Sequence, residues 1–179
     1  LRFVGIQKCY HVTCFLRFSI VLDFIKRALS LQQVPPTAVL NGIAFFMTIF
    51  AMWQTFTKIY DNAYKPLADG NISIERAFTE AETPIRNFMF SQMSSDSGKK
   101  YISMFMGVAK LDQPKNTSDV PTYILIPAYI LNELTIAFKI GIILYIPFLI
   151  IDMVCASILM AMGMMMLPPS MISMPFKIM

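Results

Sequence analysis

Between Ala38 and Phe56 the chain carries nineteen consecutive residues without a charge, AVLNGIAFFMTIFAMWQTF. As a helix at about 1.5 Å per residue this run is roughly 28 Å long, close to the hydrocarbon thickness of a bilayer. It predicts a spanning helix over 38–56. Met153–Phe176 is a second uncharged run, and Tyr123–Ile151 holds only Glu133 and Lys139 as charges. With 56% hydrophobic residues the chain exceeds an ordinary soluble domain, which has about 45–50%. These features predict an integral membrane protein, or a helical assembly built from membrane-inserted chains.

The charges are localised. Residues 1–33 contain Arg2, Lys8, Arg17, Lys26 and Arg27 against Asp23. Residues 57–119 hold eight basic and eight acidic side chains, and the last sixty balance Glu133 and Asp152 against Lys139 and Lys177. The whole net charge of +4 therefore sits in the first 27 residues. A basic patch on a soluble domain would suggest nucleic acid. Beside an apolar run, the positive-inside rule is the better reading, with no nucleic acid as partner. It places Lys26, Arg27 and the following loop on the cytoplasmic side and residues 57–119 across the membrane.

Three sections follow. Residues 1–56 are N-terminal hydrophobic helices joined by the breaker QQVPP. Val12–Ser30 reads as an amphipathic helix in which Asp23 faces Lys26 and Arg27 at i+3 and i+4. In QQVPP the second proline suits the start of the next helix. Residues 57–119 are a polar, helical extramembrane domain. There Asp69-Gly70-Asn71 marks a turn. Ile74, Ala77, Phe78, Ala81, Ile85, Phe88 and Met89 recur at helical spacing. Thr83-Pro84 suggests an N-cap that divides this stretch into two short helices. Tyr101, Ile102, Phe105 and Met106 suggest a further helix, and 110–119 a loop. Residues 120–179 form a hydrophobic helical hairpin interrupted by Pro127, Pro147, Pro168, Pro169 and Pro175, with Gly141 and Gly163 allowing close helix contacts. No strand alternation is present, so the fold class is all-α. The chain begins at Leu1 and stops in apolar sequence, so a fragment is expected.

Chemistry-bearing residues are few. Cys9, Cys14 and Cys155 have apolar surroundings and no metal spacing, and read as small buried hydrophobes. His11 is the only histidine. No catalytic triad or phosphate loop can be assembled, so no enzyme, metal or cofactor is expected. Trp53 and Tyr60 suit an interfacial aromatic belt. Glu133, Lys139 and Asp152 are charges inside apolar sequence, where a partner, a cavity or a pathway is the usual reason. Glu133 and Lys139 are about 240° apart around a helix, and Lys139 and Asp152 about 220°, so each needs a partner on another helix or subunit. Intersubunit pairing or lumen exposure is expected over proton relay. In Met160–Met171, MAMGMMMLPPSM, half the residues are methionine. Unbranched thioethers specify shape poorly and deform well. On composition alone they read as membrane filler.

QQVPP (32–36), DNAYKP (61–66), IPAY (126–129), AFKIG (137–141), IPFLIIDMV (146–154), LMAMGMMMLPP (159–169) and PFK (175–177) together resemble the FliP family, whose injectisome counterpart is the SctR family. The resemblance covers about residues 13–179. It implies a pore-forming subunit of a type III protein export gate in the bacterial inner membrane, at the flagellar basal body. It also implies a pentameric homo-oligomer with FliQ-like and FliR-like proteins, FlhA and FlhB nearby, and unfolded flagellar subunits as cargo. The polar domain is then periplasmic. Met164, Met165 and Met166 become a gasket across the pore, with Gly163, Pro168 and Pro169 setting the loop. Thr135, where flagellar members usually carry a basic residue, and Lys139 match the injectisome branch. The long polar insert and GMMMLPP favour the flagellar one. A small-solute secondary transporter, hinted at by the paired breakers QQVPP and MMLPP, and a purely structural membrane scaffold stay open.

Overall fold

The computed structural model describes residues 14–31, 35–114, 116, 119–163 and 169–178, without the side chains of 169–171 and 178. The described residues are mostly helical, joined by turns and loops, with no strand among them. The helices are α1 (Phe15–Ala28), α2 (Thr37–Ala51), α3 (Trp53–Ile59), a π-helical turn (Tyr60–Tyr64), α4 (Lys65–Ala68), α5 (Ile74–Gln92), α6 (Asp96–Val108), α7 (Thr122–Ala161) and α8 (Pro169–Ile178). They divide into two compact units, Leu1–Leu16 with Phe46–Thr135, and Arg17–Phe45 with Ile136–Met179.

The first unit is built on the periodicity seen in the polar section. Met89, Met93, Ile102, Met106, Val120, Ile124, Leu125, Ala128 and Tyr129 form its buried core, drawn from α5, α6 and the first turns of α7. Two serines cap the helices. Ser73 Oγ accepts from Arg76 N at 3.4 Å, and Ser95 Oγ accepts from Gly98 N at 3.4 Å. Each satisfies an orphan donor of the first turn. A β-carbon on Gly98 would lie 2.5 Å from the Met93 carbonyl oxygen, so the α5–α6 connection closes only around a glycine. Arg86 on α5 ties down the entry to α7. Its Nη1 donates to Thr122 Oγ1, its Nη2 donates to the Val120 carbonyl at 2.7 Å, and its guanidinium lies 5.7 Å from the Phe90 ring centroid. The expected turn at Asp69–Asn71 is present, with Gly70 at φ 72°.

Three expectations are corrected. Residues 38–56 are not one straight helix. The chain breaks at Met52, and Thr37–Ala51 and Trp53–Ala68 meet at 62°. Met52 is buried, so packing sets this bend where hydropathy saw a continuous run. Thr83 does not cap a second helix. Its hydroxyl donates to the Thr79 carbonyl at 3.3 Å, and α5 runs on through the buried Pro84. Pro127 and Pro147 do not interrupt the C-terminal section. Both lie inside α7, which continues for 40 residues, about 60 Å. A proline costs a helix one hydrogen bond, and flanking turns compensate in a long apolar helix.

In the second unit, α1 carries the expected pair, Arg27 Nε to Asp23 Oδ2 at 2.8 Å. Ser19 Oγ donates to Asn41 Oδ1 at 3.2 Å, joining α1 to α2. Phe24 lies edge-on to Phe138, centroids 5.6 Å apart, and against Gly141, where a β-carbon would meet its ring at 2.5 Å. The small residue at 141 thus admits the close contact expected of it. Cys155 is buried in this unit, as Cys14 is in the first. α7 is long and apolar enough to cross a membrane, and only 6% of its apolar window is buried. Ile143, Ile150 and Met153 point their apolar surface outward. A soluble core helix would hide that surface. A lipid-facing or subunit-facing helix would not.

Candidate functional site

α1 ends in a left-handed turn. The Leu31 amide donates to the Lys26 carbonyl at 3.2 Å and the Ser30 amide to the Arg27 carbonyl at 3.0 Å, with Ser30 at φ 59°. This is a Schellman cap with serine in the position that usually takes glycine. It leaves the Ala28 carbonyl and the Ser30 hydroxyl facing the same point. Lys177, in the last turn of α8, fills that point. Its Nζ donates to the Ala28 carbonyl at 2.8 Å, to Ser30 Oγ at 2.9 Å and to Asp152 Oδ2 on α7 at 2.7 Å. Three ammonium protons meet three acceptors. The Lys177 side chain is 1% exposed. Asp152 keeps a further contact, as Ser173 Oγ donates to its Oδ1 at 2.5 Å. The positive group also lies at the negative end of the α1 dipole.

This cluster joins the C-terminal end of α1, the second half of α7 and α8. Asp152 stands before the methionine-rich stretch in sequence, and Ser173 and Lys177 stand after it. α7 ends at Ala161. Gly163 follows with φ 73°, and its amide donates to the Met160 carbonyl at 3.1 Å. Glycine adopts that conformation without steric cost. Met164, Met165, Met166 and Pro168 lie outside the described residues, and Pro169 is the first residue of α8.

The three charges singled out in the sequence are not brought together. Asp152 meets Lys177 on another helix of the same chain, α8. Glu133 is fully buried in the first unit. Lys139 is exposed in the second. Sequence reasoning passed over Lys177, Ser173 and Ser30. Their roles rest on contacts 25, 21 and 147 residues apart, which no local periodicity reports. The first unit also has a cavity of about 620 Å³ whose lining includes Phe90, Met93, Lys99, Ile102 and Gln113. None of the candidate site residues singled out in the sequence lines it.

The profile described as FliP family matches residues 7–179. The chain is 65% identical over 167 residues to the flagellar biosynthetic protein FliP of Treponema denticola, covering 93% of this chain and 61% of that protein. It is 54% identical to the protein of the same name from Borreliella burgdorferi, covering 93% and 65%. Against that of Bacillus subtilis it is 50% identical, covering 93% and 74%. The chain thus spans about three-fifths of the length of the first of these relatives.

Proposed function

This chain belongs to the FliP family, and from that premise we propose that it is a pore-forming subunit of the flagellar type III export gate, passing unfolded flagellar subunits across the bacterial inner membrane. The reading is non-enzymatic. Copies of the chain assemble as a ring, pentameric by family resemblance, with FliQ-like and FliR-like proteins, and with FlhA and FlhB on the cytoplasmic side. Residues 57–119 stand in the periplasm, and 1–56 and 120–179 supply the hydrophobic helices of the conduit. Met164, Met165 and Met166 close the bore between passages and yield around a polypeptide, because methionine side chains are apolar, unbranched and mobile. Gly163, Pro168 and Pro169 set the entry and exit of that loop.

The observation that carries this reading is the 2.7 Å contact between Asp152 and Lys177, one on each side of the methionine-rich stretch in sequence. Tying α7 to α8 there supports a hairpin with a deformable tip on fixed arms. A gasket needs that combination, and membrane filler does not. The apolar outer surface of α7 supports burial against lipid or neighbouring copies. The relatives named above are flagellar biosynthetic proteins, which weighs for the flagellar branch over an injectisome gate. Glu133 and Lys139, as charges in apolar sequence, are assigned to intersubunit pairing or lumen exposure. In the test, Met164, Met165 and Met166 are replaced together by Ala in the full-length protein, assembled with its FliQ-like and FliR-like partners in a planar bilayer. The expected result is an ion leak absent from the unmodified gate. Conductance unchanged from the unmodified gate removes the gasket. A full-length protein that stays monomeric with both partners present removes the gate.

A further inference from the structure

Trp53–Ala68 follows directly on the apolar helix α2, bent from it by 62°. Its residues sort into three flanks. Thr55 and Ala63 are buried, as is Met52 just before the segment, and this flank packs on α5. Gln54, Lys58, Asp61 and Lys65, spaced three or four apart, are exposed and polar, with Lys65 Nζ 4.0 Å from Asp61 Oδ1. Between these lies an exposed aromatic flank of Trp53, Phe56, Tyr60 and Tyr64, again three or four apart. Trp53 is 65% exposed and Tyr64 60%. Tyr60 and Tyr64 stack at 5.3 Å and 22°, which puts both on one side of the π-helical turn. That widened turn lies just before Pro66, whose ring would collide with the Asn62 carbonyl in a regular α-helix.

We propose that this aromatic flank docks on the bilayer interface, with Trp53–Ala68 lying along the membrane surface and its lysines over anionic headgroups. Three of the four rings carry a polar edge, the indole N–H of Trp53 and the hydroxyls of Tyr60 and Tyr64. Such rings settle at the headgroup level, with the ring in the acyl boundary and the polar edge in the wet layer. With α2 as the inserted arm of this bent pair, the 62° bend turns Trp53–Ala68 most of the way toward the membrane plane. Lys58 and Lys65 against Asp61 leave the neighbouring flank net positive, which complements anionic lipid. The inference requires membrane association only and stands apart from the pore reading.

Trp53 is the only tryptophan of the chain, so its fluorescence reports this flank alone. The full-length protein, with any tryptophan outside residues 1–179 changed to phenylalanine, is placed in phosphatidylglycerol-containing nanodiscs. Quenchers are iodide in the water and nitroxide lipids labelled at a shallow or a deep acyl position. The expected result is a larger loss of emission with the shallow label than with the deep one, and a small loss with iodide. A second variant, Trp53→Phe with Gln54→Trp, moves the reporter to the polar flank, where iodide should become the strongest quencher. Iodide quenching of Trp53 as strong as that of the Gln54→Trp reporter overturns the proposal. So does a stronger effect of the deep label, which means a spanning segment. Protection of Trp53 from all three quenchers overturns it too, and assigns the flank to a protein surface. A conductance measurement reads none of these outcomes, so failure here leaves the gate reading as it was.

Discussion

Replacing Lys177 by methionine keeps the length of the side chain and removes its charge. The structure says what is then lost. The Asp152 carboxylate loses its counter-ion and keeps one hydroxyl, and the Ala28 carbonyl and the Ser30 hydroxyl lose their donor. Breaking a buried pair by removing one partner costs about 3–5 kcal/mol. The Asp152 side chain retains 28% exposure, so water relieves part of the stranded charge and the cost falls near 3 kcal/mol. For a chain of this size that is a fall in melting temperature of about 6–12 °C. The reverse change, Asp152→Asn, strands an ammonium that is 1% exposed, so it costs more, about 4 kcal/mol. The double change removes both charges. It should sit above either single variant, because a neutral pair pays no desolvation. The assay is thermal unfolding of the detergent-solubilised full-length protein for the wild type, both single variants and the double. A Lys177→Met protein as stable as the wild type refutes the reasoning. So does a double variant no more stable than the worse single, since the cost would then come from lost packing.

Three further predictions concern single sites and are read as unfolding midpoints. Ser30→Ala should destabilise more than Ser30→Gly. Alanine keeps the cost of the left-handed backbone and loses the acceptor for Lys177, a charge-assisted bond of about 1.5–3 kcal/mol, while glycine loses the bond and relieves the strain. Gly98→Ala should cost about 1–3 kcal/mol, because the added carbon meets the Met93 backbone, which cannot rotate away as a side chain could. Arg86→Lys should destabilise despite the kept charge, since an ammonium cannot reach both Thr122 Oγ1 and the Val120 carbonyl with the planar fork. Arg86→Lys as stable as the wild type would show that the charge alone, and not the planar fork, holds the entry to α7.

Much of the fold was legible in the chain. Helical spacing from Ile74 to Met89 and from Tyr101 to Met106 marked α5 and α6, because a buried stripe every three or four residues leaves a local trace. The Asp23–Arg27 pair and the turn at Gly70 were likewise local, set by residues at most four apart. Proline misled in both directions. Thr83-Pro84 read as a start, and Pro127 and Pro147 read as breaks. A proline lowers the stability of a helix by an amount that packing on both sides can offset, and that packing is not written beside it.

The candidate site divides along the same line. Composition and motif order by themselves determined that the chain is all-helical, that its C-terminal section is apolar, and which family it resembles. Asp152 stood out because a charge in apolar sequence must be compensated somewhere. Where it is compensated was decided only by the tertiary structure. Lys177 meets Asp152 across 25 residues, and the end of α1 across about 149. The acceptors there are a backbone carbonyl and a hydroxyl on a left-handed cap. A carbonyl is the same atom at every position of the chain, so nothing in the letters at Ala28 marks it as a ligand of a lysine. Only folding, which brings the ends of α1 and α8 to the same point on α7, gives that oxygen its role.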